Sequence, residues 1–307
     1  MKAVVTGSHG FVGPHLIAHL TSCGDHVAPA DRSMGVDIRD PRSIGAVLAR
    51  EEPEVVYHLA GMADVGASWD DPAATFEVNA NGTLHTLAAA RAAGVRRVLV
   101  VSSADVYGIV DSDALPIDED QPLRPVSPYG VSKAAAELLA LQAWTGHGLE
   151  TIRVRSFNHI GPGQSPKFVA AALASRVAQA EHDGSSSVSV GNLTPRRDFT
   201  DVRDVVRAYR AAMVDGEAGE VYNVASGRDV SIEHLARSLL DRAVAPLELD
   251  IDPALQRPVD NPISVGDASR LHAATGWTPD IPLDQTLSEL LDAMRAQLIV
   301  DTDSARP

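Results

Sequence analysis

Short apolar runs alternate with longer stretches of helical periodicity through the first half of the chain. The apolar runs are rich in β-branched residues and predict buried strands at 2–7, 26–31, 54–61, 96–103 and 151–158. The pattern between them predicts helices that end near residue 20, span 41–51 and 72–93, and run from 128 to about 145. Strands and helices that alternate in this way predict an α/β fold whose parallel sheet is covered on both faces.

This rhythm changes after Asn158. A loop at 161–166 is followed by a helix to about residue 181, a second break at 182–187 and one more strand at 221–226. The C-terminal part consists of shorter elements with many prolines. The change predicts a large lobe of alternating elements and a smaller C-terminal lobe.

Composition narrows the classes of function. The chain has 307 residues, with 41 acidic and 26 basic side chains and a formal net charge of −15. This charge argues against nucleic acid and an anionic membrane as partners. Cys23 is the only cysteine, which excludes a disulfide framework, and we expect no metal site. Because the sequence has no bilayer-length apolar run and begins directly with a strand, we expect a cytoplasmic protein.

Three glycines follow the first predicted strand at intervals of three residues. Gly7, Gly10 and Gly13 lie in the turn and the first part of the next helix. Glycines so placed allow a tight turn, the approach of a pyrophosphate to backbone amides, and close packing of helix on strand. We therefore expect this loop, with Phe11 and Val12, to bind a dinucleotide in a Rossmann-type, doubly wound parallel sheet.

The predicted lobes then divide the chain by function. Residues 1–158 and about 188–226 form the dinucleotide-binding lobe, and 159–187 with 227–298 form the smaller substrate-binding lobe. Residues 299–307 are expected to be a flexible tail.

The end of the second strand carries the residues that select the cofactor. Asp31 can accept hydrogen bonds from ribose hydroxyls and repel a 2′-phosphate, which favours NAD(H). Arg32 is adjacent and can instead hold a 2′-phosphate, so NADP(H) stays open. Asp37 and Ile38 are placed to hold the adenine. Three further candidates for cofactor contact end the next strand: Leu59, Ala60 and Gly61.

Tyr129 and Lys133 carry the strongest chemical signal. They are four residues apart on the predicted helix and share one face. A Tyr pKa near 10 is high for proton exchange at neutral pH, and a neighbouring ammonium is expected to lower it. Ser103 ends the strand at 96–103, at the edge where open parallel sheets place ligands. These three residues are the predicted catalytic set, and Tyr129 and Lys133 are also expected to contact the cofactor.

The sequence resembles the extended short-chain dehydrogenases/reductases that act on nucleotide sugars. The matching segments are TGSHGFVG at 6–13, HLAG at 58–61, VNANGT at 78–83, SSADVYG at 102–108 and SPYGVSKAAAE at 127–137. The resemblance covers nearly the whole chain. It implies that Ser103, Tyr129 and Lys133 are catalytic and that Asn79 helps to shape the site behind the cofactor.

The second half is similar to GDP-4-keto-6-deoxy-D-mannose reductases, which form GDP-D-rhamnose. The matching segments are 157–169, 190–209, 219–227 and 256–287. The similarity implies NAD(P)H-dependent reduction of the C4 ketone of a nucleotide-linked sugar, with a GDP-hexose favoured. Asn158, Arg197 and Arg257 are suited to a diphosphate, because arginine can bind its oxygens in a fork. Asp105 is a further candidate for substrate contact.

Other functions stay open on the sequence. A 4-epimerase with tightly held NAD uses the same three catalytic residues. A 4,6-dehydratase needs an extra acid and base, and the positions after Ser103 hold Ala104, which transfers no proton, and Asp105, which is shorter than the usual Glu. A non-catalytic scaffold or redox sensor has no need of the intact catalytic set. The same residues allow reduction to rhamnose or to talose.

Two predicted helices carry more apolar surface than one sheet contact needs. Small residues on their faces allow another helix to approach closely. We expect a homodimer in which the helices at about 72–93 and 128–145 of two subunits form a four-helix interface. The residues of these faces are Leu84, Leu87, Ala88, Ala92, Ala135, Leu138 and Leu141.

Overall fold

The computed structural model describes residues 1–255 and 261–304. The strands in this part are β1 (Lys2–Thr6), β2 (His26–Ala30), β3 (Val55–His58), β4 (Arg97–Ser103), β5 (Glu150–Ser156), β6 (Asn158–Ile160), β7 (Ser187–Val190), β8 (Arg196–Asp201), β9 (Val221–Val224), β10 (Asp229–Ser231), β11 (Glu248–Ile251) and β12 (Ile263–Ser264). The helices are α1 (Val12–Ser22), α2 (Pro41–Glu51), α3 (Ala67–Asp70), α4 (Pro72–Phe76), α5 (Gly82–Ala92), α6 (Pro128–His147), α7 (Val169–Asp183), α8 (Val202–Asp215), α9 (Ile232–Leu240), α10 (Ser269–Thr275) and α11 (Leu283–Ser304).

A six-stranded sheet forms the centre of the larger lobe. Its strand order is β2-β1-β3-β4-β5-β9, and all of its pairs are parallel. The direction in which the chain crosses the sheet reverses at β1, and ligands of open α/β sheets bind at such a reversal, beyond the carboxyl ends of the strands. Thr6, His58 and Ser103 end three of these strands, so their side chains lie along that edge.

Helices cover both faces of this sheet. On one face, α1 and α8 contribute Leu16, Leu20 and Val205 to the core. On the other, α2 and α5 contribute Ile44 and Leu87. Burial on both faces explains why the strands read as continuous apolar runs. The predicted α/β, doubly wound fold is confirmed.

Two local signals in the sequence fix the helix that carries the candidate catalytic pair. The Ser127 side chain accepts a hydrogen bond from the backbone N–H of Gly130, and Pro128 occupies the first turn of α6. Gly148 ends the helix with a φ of 71°. Tyr129 and Lys133 therefore lie in the first two turns of a rigid helix.

The helix predicted at 72–93 contains an irregular turn. α4 and α5 are joined by a π-helical turn at Glu77–Asn81, which includes Asn79. Such turns are rare and occur frequently at functional sites. The Ala-rich pattern predicts helix over the whole segment and gives no sign of the change in winding.

The second lobe is built on two small sheets. β8 pairs with β10, β12 and β6, and β7 pairs with β11. We predicted that 188–226 belongs to the dinucleotide-binding lobe, but within it only α8 and β9 lie with the central sheet. The reason is visible in β7, whose alternately exposed and buried residues are typical of a sheet covered on one face. The remaining lobe boundaries stay a prediction.

The last helix continues to Ser304, where we expected a flexible tail from residue 299. No glycine or proline interrupts the sequence between Leu283 and Arg306, so nothing in the chain breaks the helix there. The remaining tail residues, 305–307, lie outside the described part. In that part, no helix is long and apolar enough to cross a membrane.

Candidate active site

The glycine-rich loop brings β1, α1 and the turn after β3 into close contact. Gly7 has a φ of 68°, and a Cβ atom there would lie 2.8 Å from the backbone nitrogen of Ala60. A Cβ at Gly13 would lie 2.3 Å from the carbonyl oxygen of Ser8. The hydroxyl of Ser8 is buried and has no hydrogen-bond partner among the described residues. A backbone that requires glycine and an unsatisfied buried hydroxyl fit a loop that receives a dinucleotide phosphate.

The other predicted residues of the loop, Gly10, Phe11 and Val12, follow β1 and extend to the start of α1. The backbone N–H of Gly10 donates to the carbonyl of Gly7 at 3.1 Å, and Phe11 precedes α1, which begins at Val12. The Phe11 ring stacks on the His159 ring with centroids 5.8 Å apart. The turn of Leu59, Ala60 and Gly61 lies directly against the loop. These residues are brought together at the carboxyl edge of the sheet, where we predicted the cofactor.

Asp31 lies at the end of β2 and is already engaged by its neighbours. Its carboxylate accepts hydrogen bonds from the backbone N–H of His9 at 3.1 Å and from the N–H and hydroxyl of Ser33 at 2.9 and 2.8 Å. Burial acts to raise the pKa of Asp31, but the hydrogen bonds from Ser33 and His9 outweigh it and the net pKa is lowered. Arg32 beside it is exposed. A carboxylate and a guanidinium thus both stand where the ribose is expected.

The two candidates for adenine contact have partners inside the protein. Asp37 pairs with Arg39 at 2.6 Å between Oδ2 and Nη2, and this hydrogen bond lowers the pKa of Asp37 to about 2. Ile38 is buried against the start of α5, where a Cβ at Gly82 would lie 2.6 Å from Ile38 Cδ1. The adenine-binding role of both residues stays a prediction.

The three candidate catalytic residues come together as predicted. The Ser103 hydroxyl donates to Asp105 Oδ2 at 3.2 Å and also hydrogen-bonds with Tyr129. Lys133 Nζ lies 6.0 Å from the centroid of the Tyr129 ring and donates to the carbonyl oxygen of Val101 at 2.9 Å. All three side chains are buried. A phenol, a hydroxyl and an ammonium therefore meet where β4 ends and α6 begins.

The electrostatics of this cluster differ from our prediction. Burial raises the pKa of Tyr129, the Asp105 carboxylate adds to the rise, and the hydrogen bond with Ser103 opposes it. Burial also lowers the pKa of Lys133 to about 8. The expectation that Lys133 lowers the tyrosine pKa is wrong here, because the ammonium points at the Val101 carbonyl and burial dominates. Tyr129 is held as a phenol at neutral pH, which is the form that donates a proton.

Asn79 lies behind the catalytic pair, as the resemblance implies. Its side chain accepts from the backbone N–H of Met62 at 2.7 Å and donates to the Met62 carbonyl at 3.0 Å and to the Ser132 hydroxyl at 2.9 Å. Ser132 in turn donates to the Tyr129 carbonyl at 2.7 Å. A Cβ at Gly61 would lie 2.9 Å from Asn79 Oδ1. Sequence reasoning missed Ser132, although it sits in the same SPYGVSK segment.

The candidates for substrate contact lie on the second lobe and beside Ser103. Asn158 is exposed at the start of β6, which pairs with β8 in the register Asn158 to Phe199. Arg197 lies on β8, is half-buried, and donates from Nη1 to the Arg196 carbonyl at 2.9 Å. Asp105 is exposed next to Ser103. Asn158 and Arg197 thus lie on neighbouring strands, and the predicted Arg257 lies outside the described residues.

Among the described residues, no three His, Cys, Asp or Glu side chains are grouped so as to hold a metal ion. The cluster itself offers the hydroxyl, phenol and ammonium groups of Ser103, Tyr129 and Lys133. Such a set is suited to proton transfer beside a nicotinamide ring.

The fold and this cluster define a Rossmann-type member of the nucleotide-sugar epimerases, dehydratases and reductases. A family model described as GDP-mannose 4,6 dehydratase matches residues 26–290, and the chain belongs to this family. The chain is 42% identical over 292 residues to GDP-6-deoxy-D-mannose reductase of Pseudomonas aeruginosa, which covers 94% of this chain and 96% of that protein. The resemblance stated from the sequence is confirmed.

Solved structures agree with the fold along nearly the whole chain. The structure of RMD from Pseudomonas aeruginosa complexed with NADPH superposes with a TM-score of 0.90 at 40% identity, covering 96% of this chain and 99% of that one. The UDP-glucose 4-epimerase of Thermus thermophilus complexed with NAD superposes with a TM-score of 0.87 at 29% identity, with the same coverage. Both forms of the nicotinamide cofactor therefore occur among close structural neighbours.

Proposed function

We propose that this protein uses NAD(P)H to reduce the C4 ketone of GDP-4-keto-6-deoxy-D-mannose, giving GDP-D-rhamnose. The observation that carries the proposal is the buried Tyr129 phenol, held with Ser103 and Lys133 beside the glycine-rich loop. A reductase needs a proton donor for the new alkoxide, and the Tyr129 phenol, hydrogen-bonded with Ser103, is protonated at neutral pH. The 42% identity to a GDP-6-deoxy-D-mannose reductase supports the substrate.

Each residue of the site has a separate role in the reduction of the C4 ketone. When bound, the nicotinamide cofactor supplies the hydride. The Ser103 hydroxyl hydrogen-bonds to the C4 oxygen, and Tyr129 gives its phenol proton to that oxygen as negative charge develops. The Lys133 ammonium is expected to bind the ribose hydroxyls of the cofactor. Gly7, Gly13 and Asp31 hold the dinucleotide, and Asn158 and Arg197 bind the diphosphate of the sugar nucleotide.

A 4-epimerase is the second candidate, because UDP-glucose 4-epimerase of Thermus thermophilus shares the fold and binds NAD. A 4,6-dehydratase is disfavoured by Ala104, which follows Ser103 and offers no proton. The experiment that separates the three mixes the protein with GDP-4-keto-6-deoxy-D-mannose and NADPH or NADH. We expect stoichiometric loss of the reduced-nicotinamide absorbance and a GDP-D-rhamnose product by NMR. If no reduced cofactor is consumed, the protein is not this reductase. If the product is the talose isomer, the proposed stereochemistry at C4 is wrong.

The preference for NADH over NADPH is a further part of the proposal and rests on Asp31. Replacing Asp31 with Asn keeps an oxygen to accept from Ser33, loses the oxygen that accepts from the His9 N–H, and removes the charge that repels a 2′-phosphate. We expect the ratio of the two dissociation constants to shift toward NADPH by about 10-fold, the scale of ~1.4 kcal/mol in binding. Fluorescence titration of both cofactors measures the ratio. If the wild-type protein binds NADPH about 10-fold more tightly than NADH, Arg32 outweighs Asp31 and the proposed preference is wrong.

We propose a homodimer through α5 and α6. The outer faces of these neighbouring helices expose Leu84, Val131 and Leu138, which are 43%, 47% and 55% accessible. Ala88 and Ala92 are also exposed, and Ala135 and Leu141 are half-buried. We predicted that Leu87 belongs to this face, and this is wrong. Leu87 packs into the core with residues of α2 and is 3% accessible. The net charge of −15 supports the further proposal that neither nucleic acid nor an anionic membrane is a partner, and a cytoplasmic location stays a proposal from the sequence.

Leu138→Arg is expected to convert the dimer to a monomer. Two copies each of α5 and α6 meet in the proposed interface, and a buried unpaired guanidinium there costs several kcal/mol. The matched control is Val244→Arg, which places the same charge on an exposed apolar residue outside α5 and α6. Light scattering at micromolar concentration measures the mass. A wild-type mass near 32.4 kDa contradicts the dimer, and a dimer that survives Leu138→Arg contradicts the interface through α5 and α6.

A further inference from the structure

A buried histidine lies beneath the candidate active site, and the mechanism above does not use it. His58 ends β3, one strand from the glycine-rich loop, and is almost completely buried. Its Nδ1 atom lies 2.8 Å from the Thr6 hydroxyl and its Nε2 atom 3.0 Å from the Thr83 hydroxyl. The Thr83 hydroxyl donates to the carbonyl of Asn79 at 2.6 Å. One line of polar contacts thus runs from the end of β1 to the π-helical turn.

The direction of every proton in this line follows from the contacts. Thr83 has one hydroxyl hydrogen, and it is used on the Asn79 carbonyl, so Nε2 of His58 must donate to the Thr83 oxygen. His58 is then the neutral Nε2–H tautomer, and Nδ1 accepts from Thr6. The Thr6 oxygen is free to accept the backbone N–H of Ala60 at 3.3 Å. Burial, with the Lys133 charge adding to it, lowers the pKa of His58 to about 3, in agreement with a neutral ring.

The far end of the line meets the catalytic helix. The side chain of Asn79 binds both backbone groups of Met62 and the hydroxyl of Ser132, and Ser132 binds the carbonyl of Tyr129. The space beside Gly61 is bounded by Asn79 Oδ1 and by Lys133 Nζ, 2.9 and 3.4 Å from a Cβ placed there. A shift of Asn79 would therefore disturb the backbone of Tyr129, through Ser132, and the space beside Lys133 Nζ.

We propose that His58 is a positioning residue for the reduction, which acts through Thr83 and Asn79 to hold the first turns of α6 against the cofactor-binding edge. The proposal rests on the proposed function of the site. His58 touches neither the candidate catalytic side chains nor an exposed surface in the described contacts, so its influence passes through the two intermediates. Its two ring nitrogens tie the glycine-rich strand to the turn that holds Asn79, which an apolar residue in that position could not do.

Thr83→Val tests the proposal with little change in volume. The valine removes the oxygen that receives the His58 proton and holds the Asn79 carbonyl, so we expect kcat to fall by about 10- to 100-fold, the scale of a small misplacement at a reacting centre. The KM for the sugar nucleotide should stay within about twofold, since no substrate contact is lost. Thr83→Ser keeps the hydroxyl and should restore kcat. These steady-state constants are measured with the keto sugar and the preferred reduced cofactor.

The matched control is Thr86→Val on the same helix. Thr86 is equally buried and its hydroxyl donates to the Gly82 carbonyl at 2.9 Å, four residues earlier, as Thr83 does to Asn79. It is not in the His58 line, so its loss should leave kcat near the wild-type value. A kcat that falls equally in both variants would mean that valine merely disturbs the helix, and the positioning role would be wrong.

A second readout does not depend on turnover. Nitrogen-15 NMR of the imidazole should show the Nε2–H tautomer of His58 in the wild type and in Thr83→Ser, and a changed signal in Thr83→Val, with His58→Gln used to assign it. A wild type that shows this signature but leaves the keto sugar unreduced contradicts the proposed function and not the line of contacts. An Nδ1–H tautomer, a wild-type kcat in Thr83→Val, or a Thr83→Ser variant as impaired as Thr83→Val overturns the proposal.

Discussion

Replacing Tyr129 with phenylalanine is expected to lower turnover by roughly 10²–10⁴-fold, the usual contribution of a positioned proton donor. The aromatic ring and the first turn of α6 are retained, and the phenol hydroxyl is lost together with its hydrogen bond to Ser103. The binding of NADH and NADPH should therefore stay close to wild type. Stopped-flow or steady-state loss of reduced nicotinamide measures turnover, and fluorescence titration measures binding.

The control for this variant is Tyr57→Phe. Tyr57 is also fully buried, and its hydroxyl has no hydrogen-bond partner among the described residues. It lies in the core on the face covered by α1 and α8, so removing its hydroxyl should leave turnover unchanged. Near-wild-type turnover in Tyr129→Phe would show that the proton comes from another group.

The direction of the tyrosine pKa bears on which reaction the site favours. A dehydrogenase or an epimerase begins by removing a proton from an alcohol, which needs the phenolate. A reductase ends by giving a proton to an alkoxide, which needs the phenol. Because burial and the Asp105 carboxylate raise the pKa of Tyr129, the phenol is the form present at neutral pH. A phenol can donate a proton to an alkoxide, as both a reductase and the reductive half of an epimerase require.

Local sequence signals were sufficient for much of the fold. The strand boundaries, the glycine spacing and the Ser127–Pro128 start of α6 each depend on residues close together in the chain. Together they placed Ser103, Tyr129 and Lys133 at one edge of the sheet before any contact was known.

Features that depend on distant contacts were not predictable in this way. The bond between Thr6 and His58 joins residues 52 positions apart, and the bond between Asn79 and Ser132 joins residues 53 apart. Neither pair has a periodic or spacing signature, although both lie in segments that carried the family resemblance. The direction of the Tyr129 pKa shift could not be predicted for a similar reason. The spacing of Tyr129 and Lys133 indicates only that they share a helix face, whereas the burial that raises the pKa depends on the packing of the whole lobe.

Replacing Lys133 with methionine is expected to cost about 100-fold in turnover, near the lower end of what acid–base groups contribute. Methionine keeps much of the length of the side chain but cannot donate to the Val101 carbonyl or hydrogen-bond to ribose hydroxyls. The matched control is Lys2→Met, because Lys2 is exposed at the start of β1, at the opposite end of that strand from Gly7.

The pH dependence distinguishes loss of this ammonium from loss of folding. Burial lowers the pKa of Lys133 to about 8, so the charged form is present below that pH and activity that needs it should fall as pH rises through about 8. In the unfolded chain the pKa is about 10.4, so between these values the unfolded state binds more protons and the free energy of unfolding rises with pH. Lys133→Met should lose both the alkaline fall in kcat/KM and this rise in stability, while unfolding at neutral pH no more easily than the wild type. An alkaline limb that persists unchanged in Lys133→Met would assign it to another group and remove the ammonium from the mechanism.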